Sequence, residues 1–172
     1  LAIWRSRAVQ SRQDTLVRTA RDGSGEQNWN LGVVHGAPNA AEGTVVGAIG
    51  RHPVDRKKYA VVADEQGRYA CTHWQLLERF GDYSLLRFKL DTGRTHQIRV
   101  HCAHMGHPMV GDATYSRCRK LPVDLAGQAL HAVELGLNHP VTGERMVLKA
   151  PLPESFENLL KALRPKLHHR VG

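Results

Sequence analysis

Long apolar runs are missing from this sequence of 172 residues. None approaches the roughly 20 residues that a helix needs to cross a bilayer, so no membrane is expected as a partner. Cysteine is scarce too. The three thiols, Cys71, Cys102 and Cys118, are odd in number and include no Cys-x-x-Cys pair, which argues against a disulfide framework and suits a reducing intracellular compartment. Acidic residues are outnumbered, 16 against 24 Lys and Arg, which leaves a formal charge of +8 before any of the eleven histidines is protonated. Internal repeats and low-complexity tracts are also lacking. With 41% hydrophobic and 23% charged residues the chain reads as folded, and its length suits one domain with at most a short tail.

The positive charge is clustered. Arg51, Arg56, Lys57 and Lys58 face only Asp55; Arg117, Arg119 and Lys120 stand together; and the stretch from Arg164 to Arg170 has no acid. Such grouping is the footprint of a polyanion partner, nucleic acid foremost, although a solvated surface accounts for a modest excess equally well.

Residues 1–30 are polar and follow no sustained period of 3.6 or 2, so they read as a poorly specified arm. The opening LAIWRSRAVQSR has no acid before Asp14, which fits the worn end of an organelle-targeting peptide or a truncated start alike. From Leu31 the texture changes to short β-prone segments cut by Gly and Pro: LGVV, TVVGAI, YAVV, THWQLL, YSLLRFKL, THQIRVH, ALHAVELGL and RMVLK. In YSLLRFKL one side of the alternation is mostly apolar and the other mixed, the mark of a half-covered strand over Tyr83 to Leu90. Gly81-Asp82 and the stretch from Asn138 to Gly143 carry turn chemistry for hairpins. After Pro153, Phe156, Leu159, Leu160 and Leu163 recur at helical spacing, with Glu154 and Glu157 in the first turn and Lys161 and Arg164 in the last. The expectation is an α+β domain over 31–164, built on a mixed, largely antiparallel sheet with flanking helices, followed by a basic tail over 165–172.

The segment from Leu90 to Asp112 carries the chemistry. Its pattern predicts a turn at Gly93 and a strand over Thr95 to His101, with Arg94 and His96 on one side and Arg99 on the other, then a short helix from Val100 to about Met105. One face then addresses an external phosphate while Arg99 meets an internal acid, since guanidinium pairs carboxylate or phosphate in a planar fork. Ordinary surface arginines on a strand fit the spacing as well. His96, His101, His104 and His107 are clustered, yet no carboxylate or Cys pair completes a tetrahedral metal set, and no metal is expected. Cys102 reads as a small packed hydrophobe. Gly106, Pro108, Gly111 and Asp112 read as turn makers, with Asp112 tying down its own loop.

LDTGRTHQIRVHCAHMGHPMVGDATY strongly resembles the signature of the RluA/RluD-type pseudouridine synthases. The resemblance runs from LGVVHGAP and GTVVGAIGRHPVDRKKYAVV through THWQLLERFG to QALHAVELGLNHPVTGERMVLKAPLPESFENLL, about Leu31 to Leu163. It implies the pseudouridine synthase fold and isomerisation of uridine in RNA, mainly ribosomal RNA, without cofactor or metal. In that family an Asp in a segment reading HRLDxxTSG attacks a flipped-out uridine, a Tyr about thirty residues later packs on the base, and an Arg in a later strand pairs with the carboxylate. Arg99 matches that Arg. Asn30 stands where the Tyr is expected, with Trp29 beside it, and no segment reads HRLDxxTSG. Asp14 in SRQDT is a weak candidate for the nucleophile, and Asp22 in RDGSG another, but neither reproduces the spacing.

Three explanations stay open: a missing or scrambled head, a diverged head on an RNA-binding or ribosome-assembly module without activity, or an unusual use of Asp14. The resemblance further implies RNA contacts from Arg51, His52, Arg56, Lys57 and Lys58, joined by Arg94 and His96, and places His131 on a strand bordering the pocket, where a packed structural role is equally open. RNA, most of all ribosomal RNA or an assembly particle, is the expected partner, with a protein partner as a further option. The compartment expected is the cytoplasm in a bacterium, or a mitochondrion or plastid in a eukaryote.

Overall fold

The computed structural model describes residues 28–117 and 120–164. The readings made for Asp14, Asp22, Cys118, Arg119 and the tail after Arg164 lie outside those residues. Among these residues eight strands and two α-helices follow one another as β1 (Asn28–His35), β2 (Glu42–Val46), β3 (Ala48–Arg51), β4 (Tyr59–Val62), β5 (Cys71–Arg79), β6 (Tyr83–Leu90), α1 (Gln97–His104), β7 (Leu130–Asn138), β8 (Arg145–Lys149) and α2 (Glu154–Leu163). Six strands form one sheet in the order β2-β5-β6-β1-β7-β8, and β3 and β4 pair as a separate ribbon. Every strand pairing among the described residues is antiparallel. The α+β class holds, with a sheet more uniformly antiparallel than expected.

Period-2 alternation explains why the sheet is covered on both sides. Val33 and Leu85 are register partners and face one way, into a core with Phe80, Val110, Phe156, Leu159 and Leu160 of α2. Their neighbours Val34 and Leu86 face the other way, into a second core with Trp74, Phe88, Met109, and Ile98 and Cys102 of α1. A third, smaller cluster of Ile49, Ala70 and Val100 ties the β3–β4 ribbon to α1. The apolar stripe of α2 is the one expected from its spacing: Phe156, Leu159 and Leu160 are all buried. Replacing Leu160 by Ala is expected to cost roughly 2 to 5 kcal/mol, read as a lower urea midpoint at unchanged slope. A loss under about 0.5 kcal/mol, the range of ordinary surface changes, would contradict this docking.

The strand expected over Thr95 to His101 is not there. Residues 91–96 form a turn and Gln97–His104 is helix α1. The sequence misleads because two of the residues on the buried side of α1, Gln97 and His101, are polar. Four residues apart, they break the helical run of apolar residues, so the alternation of Ile98 and Val100 reads as a strand. Gly106, at φ +82°, ends the helix in the left-handed conformation, and its N–H bonds the Ala103 carbonyl at 3.0 Å.

Candidate functional site

The turn before α1 is held by one buried amide. Gln97 Oε1 accepts the Thr92 hydroxyl at 2.8 Å and the Arg94 N–H at 2.9 Å, while Nε2 donates to the Cys71 carbonyl and to Thr72 Oγ1, each at 3.0 Å. Thr92 Oγ1 in turn accepts the Cys71 N–H at 3.0 Å. The chain continues into His101, which is fully buried. Its Nε2 faces the Gly47 carbonyl at 3.2 Å, an acceptor only, so the ring proton belongs there and Nδ1 accepts the Thr72 hydroxyl at 2.8 Å. A neutral imidazole satisfies every partner, and burial holds the His101 pKa below the ordinary value despite the opposing pull of the Gly47 carbonyl.

The linkage sign follows. An unfolded imidazole takes up its proton near pH 6.5 while the folded one does not, so stability is expected to fall as pH drops below about 6.5 through the folded-state value. His96, also held low by burial and by the nearby Arg99 and Arg51, adds a slope of the same sign, with Asp112 opposing it. His101→Gln should flatten this limb in urea melts across that range. An unchanged slope would remove His101 from the account.

Arg99, in the first turn of α1, finds its carboxylate 13 residues on, at Asp112. Nε meets Oδ2 at 2.7 Å and Nη2 meets Oδ1 at 2.8 Å, a bidentate pair. The Asp112 side chain is 0% exposed and that of Arg99 14%. Gly111, at φ +73°, delivers this carboxylate: a Cβ there would lie 2.6 Å from the Gly127 carbonyl oxygen. Asp112 Oδ1 also accepts the N–H groups of Thr114 at 2.9 Å and Tyr115 at 3.2 Å, so it does tie down its own loop. Burial alone would raise its pKa, but the Arg99 fork and these two N–H groups outweigh that and hold the carboxyl below its usual range. The sequence reading missed this pairing. The signal was present in Asp112 itself, which opens a turn by bonding the N–H groups two and three residues on, inside the same signature that carries Arg99.

Tyr115 connects Arg99 to the basic ribbon. Its hydroxyl accepts the Tyr59 N–H at 3.0 Å and lies 2.9 Å from His96 Nδ1. The Arg99 guanidinium sits 5.0 Å from the Tyr115 ring centre, and that of Arg51 4.5 Å from the Tyr59 ring. His96 adopts φ +55°, the one left-handed non-glycine among the described residues, and its ring meets both tyrosines edge-on. The fixed helix start behind it explains how such strain is sustained. A cleft of about 310 Å³ opens beside this group, lined by His52, Lys58, Tyr59, Val100, His104 and Tyr115.

The expected phosphate donors divide into two kinds. Arg51, Arg56 and Lys57 are exposed. His52 spends Nδ1 on the N–H groups of Val54 and Asp55, at 3.2 and 3.0 Å, and Lys58 stands 3.7 Å from Asp55, so both shape the loop. Arg94 donates Nε to the Tyr69 carbonyl at 2.8 Å. Arg94 and Arg99 therefore do not face opposite sides of a strand; one sits in the turn and the other on the helix. Asn30 pairs with Phe88 and shares the sheet face covered by α1. Trp29 stacks under the Arg87 guanidinium at 3.6 Å. His131 pairs with Leu31, which packs on the α2 core, so it lies on the sheet face opposite the Arg99 helix.

A family model described as RNA pseudouridylate synthase matches residues 16–104. An uncharacterized RNA pseudouridine synthase of Synechocystis is 53% identical over 137 residues, covering 79% of this chain and 42% of that protein. A ribosomal large subunit pseudouridine synthase D of Pseudomonas aeruginosa is 48% identical over 141 residues, covering 76% and 43%. The chain thus spans about two fifths of the length of these curated relatives. Among solved structures, human RNA pseudouridylate synthase domain containing 1 superposes with a TM-score of 0.63 at 25% identity, over 92% of this chain and 72% of that one. Human RNA pseudouridylate synthase domain containing 4 shares the fold with a TM-score of 0.65 at 23% identity, over 92% and 68%.

Proposed function

Because the chain belongs to the RNA pseudouridine synthase family, we propose that it binds structured RNA, ribosomal RNA first, and carries the Arg99 half of a uridine-isomerising site. The observation that supports this reading best is the continuous assembly of Asp112, Arg99, Tyr115, His96 and Tyr59 beside the exposed Arg51, Arg56 and Lys57. The basic ribbon supplies phosphate contacts, and the tyrosine and histidine rings offer a partly apolar wall to an unstacked base. Arg99 spends two donors on Asp112 and keeps its Nη1 edge for a second anion, a nucleophilic carboxylate or a phosphate. An intracellular compartment suits a partner of this kind.

Asp112 does not serve as the nucleophile. Both of its oxygens are hydrogen-bonded and its side chain is fully buried, so it cannot reach a sugar or base carbon of a bound nucleotide. The attacking Asp has to come from elsewhere, and neither Asp14 nor Asp22 has the spacing of HRLDxxTSG. The charge of Arg99 is already matched inside the fold by Asp112, which also favours a second reading, an inactive family member acting as an RNA-binding or ribosome-assembly module.

Two measurements on the purified chain test these readings. Arg56→Ala with Lys57→Ala is expected to weaken binding to a ribosomal RNA transcript and to lower the salt slope by about 0.7 to 0.9 per lost contact. An unchanged slope would remove the ribbon from the interface. The same transcript, digested and analysed for pseudouridine by mass spectrometry, is expected to keep its uridines. Pseudouridine that disappears with Asp14→Asn would overturn that and make Asp14 the nucleophile.

A further inference from the structure

At the open end of the β5–β6 hairpin three donor atoms of different chemistry converge. Cys71 and His73 lie two residues apart on one face of β5, and Asp91 follows the last residue of β6. Cys71 Sγ is 3.7 Å from His73 Nε2, His73 Nε2 is 2.6 Å from Asp91 Oδ2, and all three atoms lie within 4.8 Å of one another. We propose that Cys71, His73 and Asp91 bind one zinc ion, with solvent in the fourth position.

The donor set is that of zinc, a borderline-soft ion that accepts thiolate, imidazole and carboxylate together. Zinc bonds of about 2.3 Å to sulfur and 2.0 Å to nitrogen place those atoms about 3.5 Å apart in a tetrahedron, close to the 3.7 Å observed. The His73–Asp91 separation has to open from 2.6 Å to about 3.3 Å. Both side chains have room for this, being 40% and 49% exposed. The imidazole is already oriented: Thr44 Oγ1 lies 2.8 Å from Nδ1, the kind of outer hydroxyl that steers a metal-bound histidine. On binding, the Cys71 thiol gives its proton to solvent and the Nε2 proton is exchanged for one on Nδ1, where Thr44 accepts it. One proton is released for each ion bound.

The ion would staple the turn that positions Arg94 and His96, because the Cys71 N–H bonds Thr92 and its carbonyl bonds the Gln97 amide. The four histidines of the 96–107 segment are not involved. His101 has both ring nitrogens occupied, and His107 Nδ1 meets the His35 carbonyl at 3.0 Å.

The test is a cobalt titration of the reduced full chain, followed by displacement with zinc, and it does not depend on any activity towards RNA. The expected result is saturation at one equivalent, with tetrahedral visible bands and a sulfur-to-cobalt band in the near ultraviolet. Cys71→Ser should lose the sulfur band while Cys118→Ser keeps it. Thr44→Val should weaken zinc binding roughly 10- to 100-fold. Asp91→Asn changes an exposed group, so its fold is expected to survive, and it should weaken zinc at least about tenfold. Absence of the sulfur band at saturating cobalt, a band that persists in Cys71→Ser, or equal zinc affinity in wild type and Asp91→Asn would each overturn the site.

Discussion

Replacing Arg99 by Ala is expected to cost roughly 3 to 5 kcal/mol at neutral pH, because it strands the Asp112 carboxylate in the interior. The side chain of Asp112 is 0% exposed and accepts both prongs of the guanidinium, so the lost partner cannot be replaced by bulk water. Two backbone N–H groups remain on Oδ1, and they compensate only in part. A double-mutant cycle separates this from lost packing. Arg99→Ala combined with Asp112→Asn should cost clearly less than the sum of the two single changes, since no buried charge is then left alone. Additive costs would show that the pair is not coupled.

The pH dependence gives a second check on the same pair. The Asp112 pKa is held below the unfolded value of about 3.9, so its contribution is present above that pH and fades as pH falls through the folded-state value. In Arg99→Ala burial acts unopposed and raises the carboxyl pKa, so the stranded group neutralises itself on acidification. The gap between wild type and variant should therefore begin to close above about pH 4, as the raised carboxyl of the variant takes up its proton, and close further below it as the wild-type pair loses its charge. A gap that stays constant into acid would assign the cost to packing alone. RNA binding is expected to weaken too, since the Tyr115 ring loses the Arg99 guanidinium beside it at the cleft.

Gln97→Leu is the second large effect, expected at roughly 2 to 4 kcal/mol although the two side chains are similar in size. The amide makes four hydrogen bonds at 97% burial, two of them to backbone groups of Arg94 and Cys71. Thr72 and Thr92 can rotate their hydroxyls to other partners, but the Gln97 oxygen that holds the Arg94 N–H in the turn is gone. The cost should be concentrated in the turn. Hydrogen exchange of the Arg94 and His96 amides is expected to accelerate more than that of β6, and RNA affinity to fall with it. A change under about 0.5 kcal/mol would mean that the network does not hold the turn.

The strands, the hairpins and helix α2 are legible in the amino-acid sequence because their causes are local. Tyr83–Leu90 alternates, Gly81 and Asn138 to Gly143 carry turn chemistry, and Phe156, Leu159, Leu160 and Leu163 follow the period of a helix. The basic ribbon and the family signature were readable for the same reason, as contiguous runs. Of helix α1 only the part from Val100 to its stop at Gly106 was legible; its start was not, because Gln97 and His101 occupy buried positions for hydrogen bonds to Cys71, Thr72 and Gly47, partners 25 to 54 residues away. A hydropathy pattern registers burial only where it is apolar. The Arg99–Asp112 fork, the contact of Tyr115 with Tyr59 and the convergence of Cys71, His73 and Asp91 likewise depend on which backbone segments the sheet brings side by side. Local propensity chooses the elements, whereas the partner of each buried polar group is chosen by strand register and helix placement, which only the tertiary structure decides.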